Sequence, residues 1–189
     1  MRLYDALPTS VEHGGKTYKL RPAWPNVLAA MDVLEDENLP DVEQVDCALD
    51  LLIAGQHPVD SGLLQAAIKA LVPSKEKSNE PPVMDFEQDC ELIYAAFWQT
   101  YGINLNERRG MHWCEFFALL KGLPEGTRFA DVVGVRQMPM PKPTKDNAEY
   151  RARLSRMKAK YALKKRGLSV QDGLTSMFNS LKSMAKGGD

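Results

Sequence analysis

The chain has 189 residues, 44% hydrophobic and 26% charged, with a formal net charge of −1, the profile of a soluble globular protein holding one domain, or one core and an extension. Three cysteines without a CxxC pair argue against a disulfide framework. No apolar run approaches the ~18 residues of a membrane span, and MRLYDALPTS lacks a signal peptide's apolar core, so the expected location is the cytosol.

The first element expected is a β-hairpin between Leu7 and Leu20, with Val11 and Tyr18 on either side of Gly14-Gly15, a dipeptide suited to a tight turn. A lone hairpin is marginal in water, so it must pack on helices or pair with another chain. Helical spacing of Val27, Leu28, Met31 and Leu34 predicts a helix over 26–37. Pro40 opens a second over 41–54, carrying Val45, Leu49, Leu52 and Ile53 and ended by Gly55. A third covers 60–71 before Pro73. These form a first unit, 1–73. Residues 74–84, polar and proline-containing, read as a linker.

Residues 85–137 read as an aromatic helical module packed on the first unit. Asp85 caps a helix on which Phe86, Cys90, Ile93, Tyr94, Phe97 and Tyr101 share an arc of roughly 100°, and Gly102 stops it. A helix over 111–121 brings Trp113, Phe116, Phe117 and Leu120 to one side. Two such helices joined by a short loop are expected to pack on each other. MPMPKPT, residues 138–144, has prolines at alternate positions and reads as a semi-rigid spacer.

Residues 145–189 read as a basic helical arm. Tyr150, Leu154, Met157 and Tyr161 form a narrow stripe at i, i+4, i+7 and i+11, and the rest of that surface is arginine and lysine. Ser169 and Asp172 make an approximate capping box for a last helix with Val170, Leu174, Met177, Phe178 and Leu181 on one side. The net charge hides a gradient: residues 1–84 carry 7 basic and 13 acidic side chains, residues 142–189 carry 12 and 4. An acidic body with a basic tail suits an acidic partner, nucleic acid or another copy of itself.

Little points to catalysis. His112 and Cys114, two apart on a helix, point roughly 200° away from each other, so they do not form a nucleophile and base. The six His and Cys residues (His13, His57, His112, Cys47, Cys90, Cys114) lack the tight pairs of a structural zinc site, and no phosphate-loop or dinucleotide fingerprint is present. No cofactor, metal or catalytic residue is therefore expected. The acidic run on the first two helices (Asp32, Glu35, Asp36, Glu37, Asp41, Glu43, Asp46, Asp50) reads as a solvated face, with docking of a basic segment as the alternative. Clustered cations among tyrosines would suit a nucleic-acid backbone, but the chain as a whole is not basic and no nucleic-acid motif surrounds them. The narrow stripe favours a protein partner's groove, with Tyr150, Leu154, Met157, Tyr161, Leu174 and Phe178 as candidate contacts.

The run from Asp85 to Pro141 resembles the bacteriophage gene-product-fifteen family of long-tailed phages and prophages. The resemblance is carried by FEQDCELIYAAFWQTYGINL (86–105), HWCEFFALLKGLPEGTRF (112–129), VGVRQMPMPKPT (133–144) and KAKYAL (158–163), and extends over most of 1–166. Asn104 stands where members often have aspartate, and Cys114 where a second tryptophan is common. In the family's phages the gene lies between those for the major tail protein and the tape-measure protein. The resemblance therefore implies a non-enzymatic tail assembly chaperone in the host cytoplasm. Its implied partner is the tape-measure protein, with the major tail protein and self-association as further candidates. The alternative is a tail or connector component that stays in the virion. The expected architecture is mainly α, a helical bundle with an N-terminal β-hairpin and an extended basic C-terminal helical arm.

Overall fold

Strand β1 (Ser10–His13) pairs antiparallel with β2 (Lys16–Leu20), and Val11 faces Tyr18 across the ladder. Gly14 and Gly15 turn the chain at φ 56° and 74°, values that cost a side chain-bearing residue steric strain. Val11 and Tyr18, on one face, pack against the core while Glu12 and Thr17 face outward. The structure, a computed structural model, describes residues 5–72 and 83–164. Most of the expected linker, and the last helix from Ser169 onward, lie outside the described residues.

Helix α1 (Trp24–Glu35) begins two residues earlier than the apolar spacing suggests, with Pro25 in its first turn, where a missing amide costs nothing. Helix α2 (Asp41–Leu52) ends not in a coil but in a two-residue strand, β3 (Ile53–Ala54), which pairs with β2 so that Leu20 lies opposite Ile53. The sheet order is β1-β2-β3. This third strand was not expected: a two-residue element directly after a helix has no period of its own. Helix α3 (Ser61–Leu71) is capped by Asp60, whose Oδ1 accepts from the amides of Gly62 and Leu63 at 2.6 and 3.1 Å. His13 Nε2 reaches Asp60 Oδ2 at 3.0 Å and ties β1 to that cap.

Helices α4 (Cys90–Tyr101) and α5 (Trp113–Lys121) pack through their aromatics, as expected. Phe97 stacks on Phe116 with centroids 5.2 Å apart, and Tyr101 Oη donates to Leu119 O at 2.9 Å. Phe116 also meets Phe86, Trp113 and, from α1, Trp24. The two halves are further joined by backbone bonds, Trp24 N to Met111 O and Trp113 N to Pro22 O. One buried cluster thus runs from Leu20 through Leu49 and Leu64 to Phe97, Trp113 and Phe129. Burial of each large apolar side chain there contributes about 1.5–3 kcal/mol.

Two expectations in this half are corrected. The α4 helix starts at Cys90, and residues 86–89 form a turn in which Asp85 Oδ1 accepts from the amides of Glu87 and Gln88. The change is confined to the start of the helix: Cys90, expected inward, is exposed and Asp89 is buried, while Ile93 and Phe97 are buried as expected. The segment between α5 and the proline spacer also forms a helix that the spacing did not announce, α6 (Arg128–Gln137), with Phe129, Val132 and Val135 buried. Helix α7 (Ala148–Tyr161) completes the seven described helices.

Candidate partner-binding surface

The basic helix lies against the body. Its docking is organised by Arg136 in the last turn of α6, a position set by the Thr127 cap, whose Oγ1 accepts from Ala130 N at 3.2 Å. Arg136 grips Asp89 with both Nη atoms, at 2.6 Å to Oδ2 and 2.8 Å to Oδ1. The same guanidinium donates to Val83 O at 3.0 Å and to Tyr161 O at 2.6 Å. Lys158 Nζ donates back to Arg136 O at 2.7 Å. The planar, forked guanidinium is suited to holding a carboxylate and two carbonyls at once. One side chain thereby connects the turn before α4, the end of α6 and the end of α7. Beyond Tyr161, Lys164 exchanges two hydrogen bonds with Gln88.

The expected contact stripe separates on this scaffold. Leu154 is buried in the chain's own core, and Met157 and Tyr161 are half-buried. Tyr161 Oη accepts from Arg128 Nη2 at 2.5 Å, and that guanidinium lies 5.2 Å from the ring centroid. The stripe therefore supplies, at Leu154 and Tyr161, contacts within the chain. Tyr150 is 52% exposed. Leu174 and Phe178 lie outside the described residues.

Tyr150 has exposed neighbours outside the expected stripe. Met138 and Met140 are 40% and 41% exposed, and Tyr150 Oη approaches Met138 Sδ at 3.5 Å. The segment carrying them is fixed against the start of α7: Arg151 Nη1 donates to Pro141 O, Asn147 Nδ2 to Lys142 O at 2.8 Å, and Thr144 N to Asn147 Oδ1 at 2.9 Å. The available signal was the alternation of methionine with proline, since in extended backbone residues two apart share a side. Lys142, Lys145, Arg153, Arg156 and Lys160, on this segment and on α7, are exposed, with no carboxylate partner among the described residues.

The polar residues singled out for chemistry have structural partners. His112 caps α5: its Nδ1 accepts from Cys114 N at 3.0 Å, and its Nε2 lies 3.0 Å from Pro8 O. Acceptance at Nδ1 and a carbonyl facing Nε2 together assign the neutral tautomer protonated on Nε2. The two residues are in contact after all, but through the Cys114 amide rather than its thiol. Cys114 Sγ donates to Leu71 O at 3.3 Å, and burial raises the thiol above its ordinary pKa, the opposite of an activated nucleophile. His57 Nε2 pairs with Asp50 Oδ1 at 3.0 Å. Among the described residues no group of three or more His, Cys, Asp or Glu is placed to hold a metal, and no helix is long and apolar enough to cross a membrane.

Fold and surface define a mainly α protein with a small antiparallel sheet, whose exposed apolar side chains include Met138, Met140 and Tyr150. The chain belongs to the Bacteriophage Gp15 protein family, whose model matches residues 3–163. A search of curated proteins and a search of solved structures each found no match.

Proposed function

We propose that this phage protein is a non-enzymatic tail assembly chaperone that binds the tape-measure protein and promotes assembly of tail-tube subunits around it, acting in the host cytoplasm. The observation that carries the reading is the exposed patch of Met138, Met140 and Tyr150, fixed on a folded body that belongs to a phage family. Methionine is flexible and polarizable and suits surfaces that accept apolar segments of varied shape. The gene position implied by the family resemblance supplies the client.

Coexpression with the tape-measure protein of the same phage tests this. The full chain is expected to copurify with that protein and to raise its soluble yield. Failure of both would refute the chaperone reading. Mass spectrometry of purified particles separates the chaperone, expected to be absent, from a tail component, present in fixed proportion.

A further inference from the structure

We infer that the patch formed by Met138, Met140 and Tyr150 receives one kind of occupant, an amphipathic helix of a partner protein whose apolar stripe is flanked by acidic residues. The inference deepens the chaperone reading and rests on it only for the identity of the client.

The backbone is poorly supplied for the other common mode of peptide docking. A strand added to an exposed segment pairs through main-chain amides, and Pro139, Pro141 and Pro143 have none to offer. Of the carbonyls between them, Pro141 O is already occupied by Arg151 and Lys142 O by Asn147. The edge formed by Pro139, Pro141 and Pro143 therefore offers no donor, and recognition on that side runs through side chains. The two methionines and Tyr150 present an apolar strip held in place before any partner arrives, which reduces the ordering cost of binding.

Charge specifies the flanks. At 100° per residue, Arg153 lies roughly 60° round the α7 surface from Tyr150, on the side away from Leu154; Lys160 leaves the helix on that side too, and its Nζ lies 5.4 Å from the Tyr161 ring centroid. Together with Lys142, Lys145 and Arg156 they give five exposed cations without an ion-pair partner among the described residues. The carboxylates in the same region, Asp146 and Glu149, stand at the start of α7, where they complement the helix dipole. A helix bearing Glu or Asp on either side of a Leu stripe would meet the methionines with its stripe and the cations with its flanks, whereas a lysine-flanked helix would meet like charge. Complementarity of this kind sets partner choice and orientation.

The test uses the full chain and three fluorescent probes: a synthetic helix with a leucine stripe and glutamate flanks, its twin with lysine flanks, and a duplex DNA. Anisotropy should show the glutamate helix binding at least about tenfold more tightly than the lysine twin. Met138→Asp with Met140→Asp, and separately Arg153→Glu with Lys160→Glu, should each weaken it by a similar factor; all four positions are exposed or half-exposed, so folding survives. Equal binding of the two helices, stronger binding of the duplex, or unchanged affinity in both variants would overturn the proposal. So would a second copy as occupant, seen as self-association in sedimentation that Arg153→Glu with Lys160→Glu abolishes. Selective peptide binding without capture of the tape-measure protein would sink the chaperone reading and leave the surface assignment standing.

Discussion

Replacing Arg136 with methionine tests the account of how α7 is held. The side chains of Arg136 and Asp89 are 11% and 2% exposed, so Arg136→Met leaves a buried carboxylate whose remaining donor is Asp85 N, at 3.0 Å from Oδ2. Val83 O and Tyr161 O lose their guanidinium bonds in the same change. Breaking a buried pair from one side costs about 3–5 kcal/mol, because the uncompensated charge stays behind. For a chain of this size each kcal/mol moves the midpoint by about 2–4 °C, so thermal unfolding followed by circular dichroism should show Tm falling by roughly 6–20 °C. Asp89→Leu combined with Arg136→Met removes the stranded charge as well and should recover most of the loss, to within about 1–2 kcal/mol of wild type in urea unfolding. Two results would refute the reasoning: a single variant within about 1 kcal/mol of wild type, or a double variant that falls by the sum of both singles.

Leu154→Ala empties a buried position between α7 and the body and should cost about 2–5 kcal/mol, with tryptic cleavage at Arg151, Arg153 and Arg156 accelerated as α7 undocks. Two glycines should respond with opposite sign in chemical denaturation. Gly102, at φ 64°, has open space around it, so Gly102→Ala costs about 1 kcal/mol through backbone conformation alone. Gly134, inside α6 and equally open, should gain up to about 1 kcal/mol as alanine. Asp60 gives a pH-dependent case. Burial pushes its carboxyl up, but hydrogen bonds from Leu63 N, His13 and Gly62 N together outweigh burial and hold it below its usual value. A depressed folded-state pKa contributes stability that is present above the unfolded value, about 3.9, and lost as pH falls through the folded one. The stability gap between wild type and Asp60→Asn should thus be full near neutral pH and narrow on acidification below ~pH 4; a gap that widened instead would reverse the assignment.

Most elements were legible because one local signal marked each. Gly14-Gly15, Pro40, Pro73, Gly102 and the 3.6-residue spacing in α1, α2, α4 and α5 located their elements to within a few residues. The misses at β3 and Asp89 share a cause, which is that a long-range partner decides the local state. β3 is a strand only because β2 offers an edge to Ile53 and Ala54. Asp89 turns inward because Arg136, far along the chain, meets it there. In α6, Gly134 and the charged Asp131 and Arg136 dilute the apolar pattern, although Phe129, Val132 and Val135 keep helical spacing at i, i+3 and i+6. Trp24 was read as lying ahead of a helix, yet it begins α1 and stacks on Phe116, 5.1 Å between centroids.

The candidate surface shows why an amphipathic stripe does not name its own occupant. Tyr150, Leu154, Met157 and Tyr161 have the spacing of a helix that buries one face, and packing within the chain buries Leu154 fully and Met157 and Tyr161 by half, as a partner would. What separates the two is the hydrogen bonding of Arg128 and Arg136 to Tyr161 of that helix, and of the helix's own Lys158 to Arg136 O, which no spacing rule reveals. The consequence is practical. An aspartate at Leu154 would abolish capture of a client whether or not the client touches α7, because it would strand a charge in the protein's own core. Met138 and Met140 lack that ambiguity: both are exposed, Met138 N donates to Gly134 O in α6 rather than to α7, and Met138 Sδ lies 3.5 Å from Tyr150 Oη. Loss of capture on changing Met140 alone to Asp, with the unfolding midpoint unmoved, would isolate recognition from folding; retained capture would move the client site off this patch.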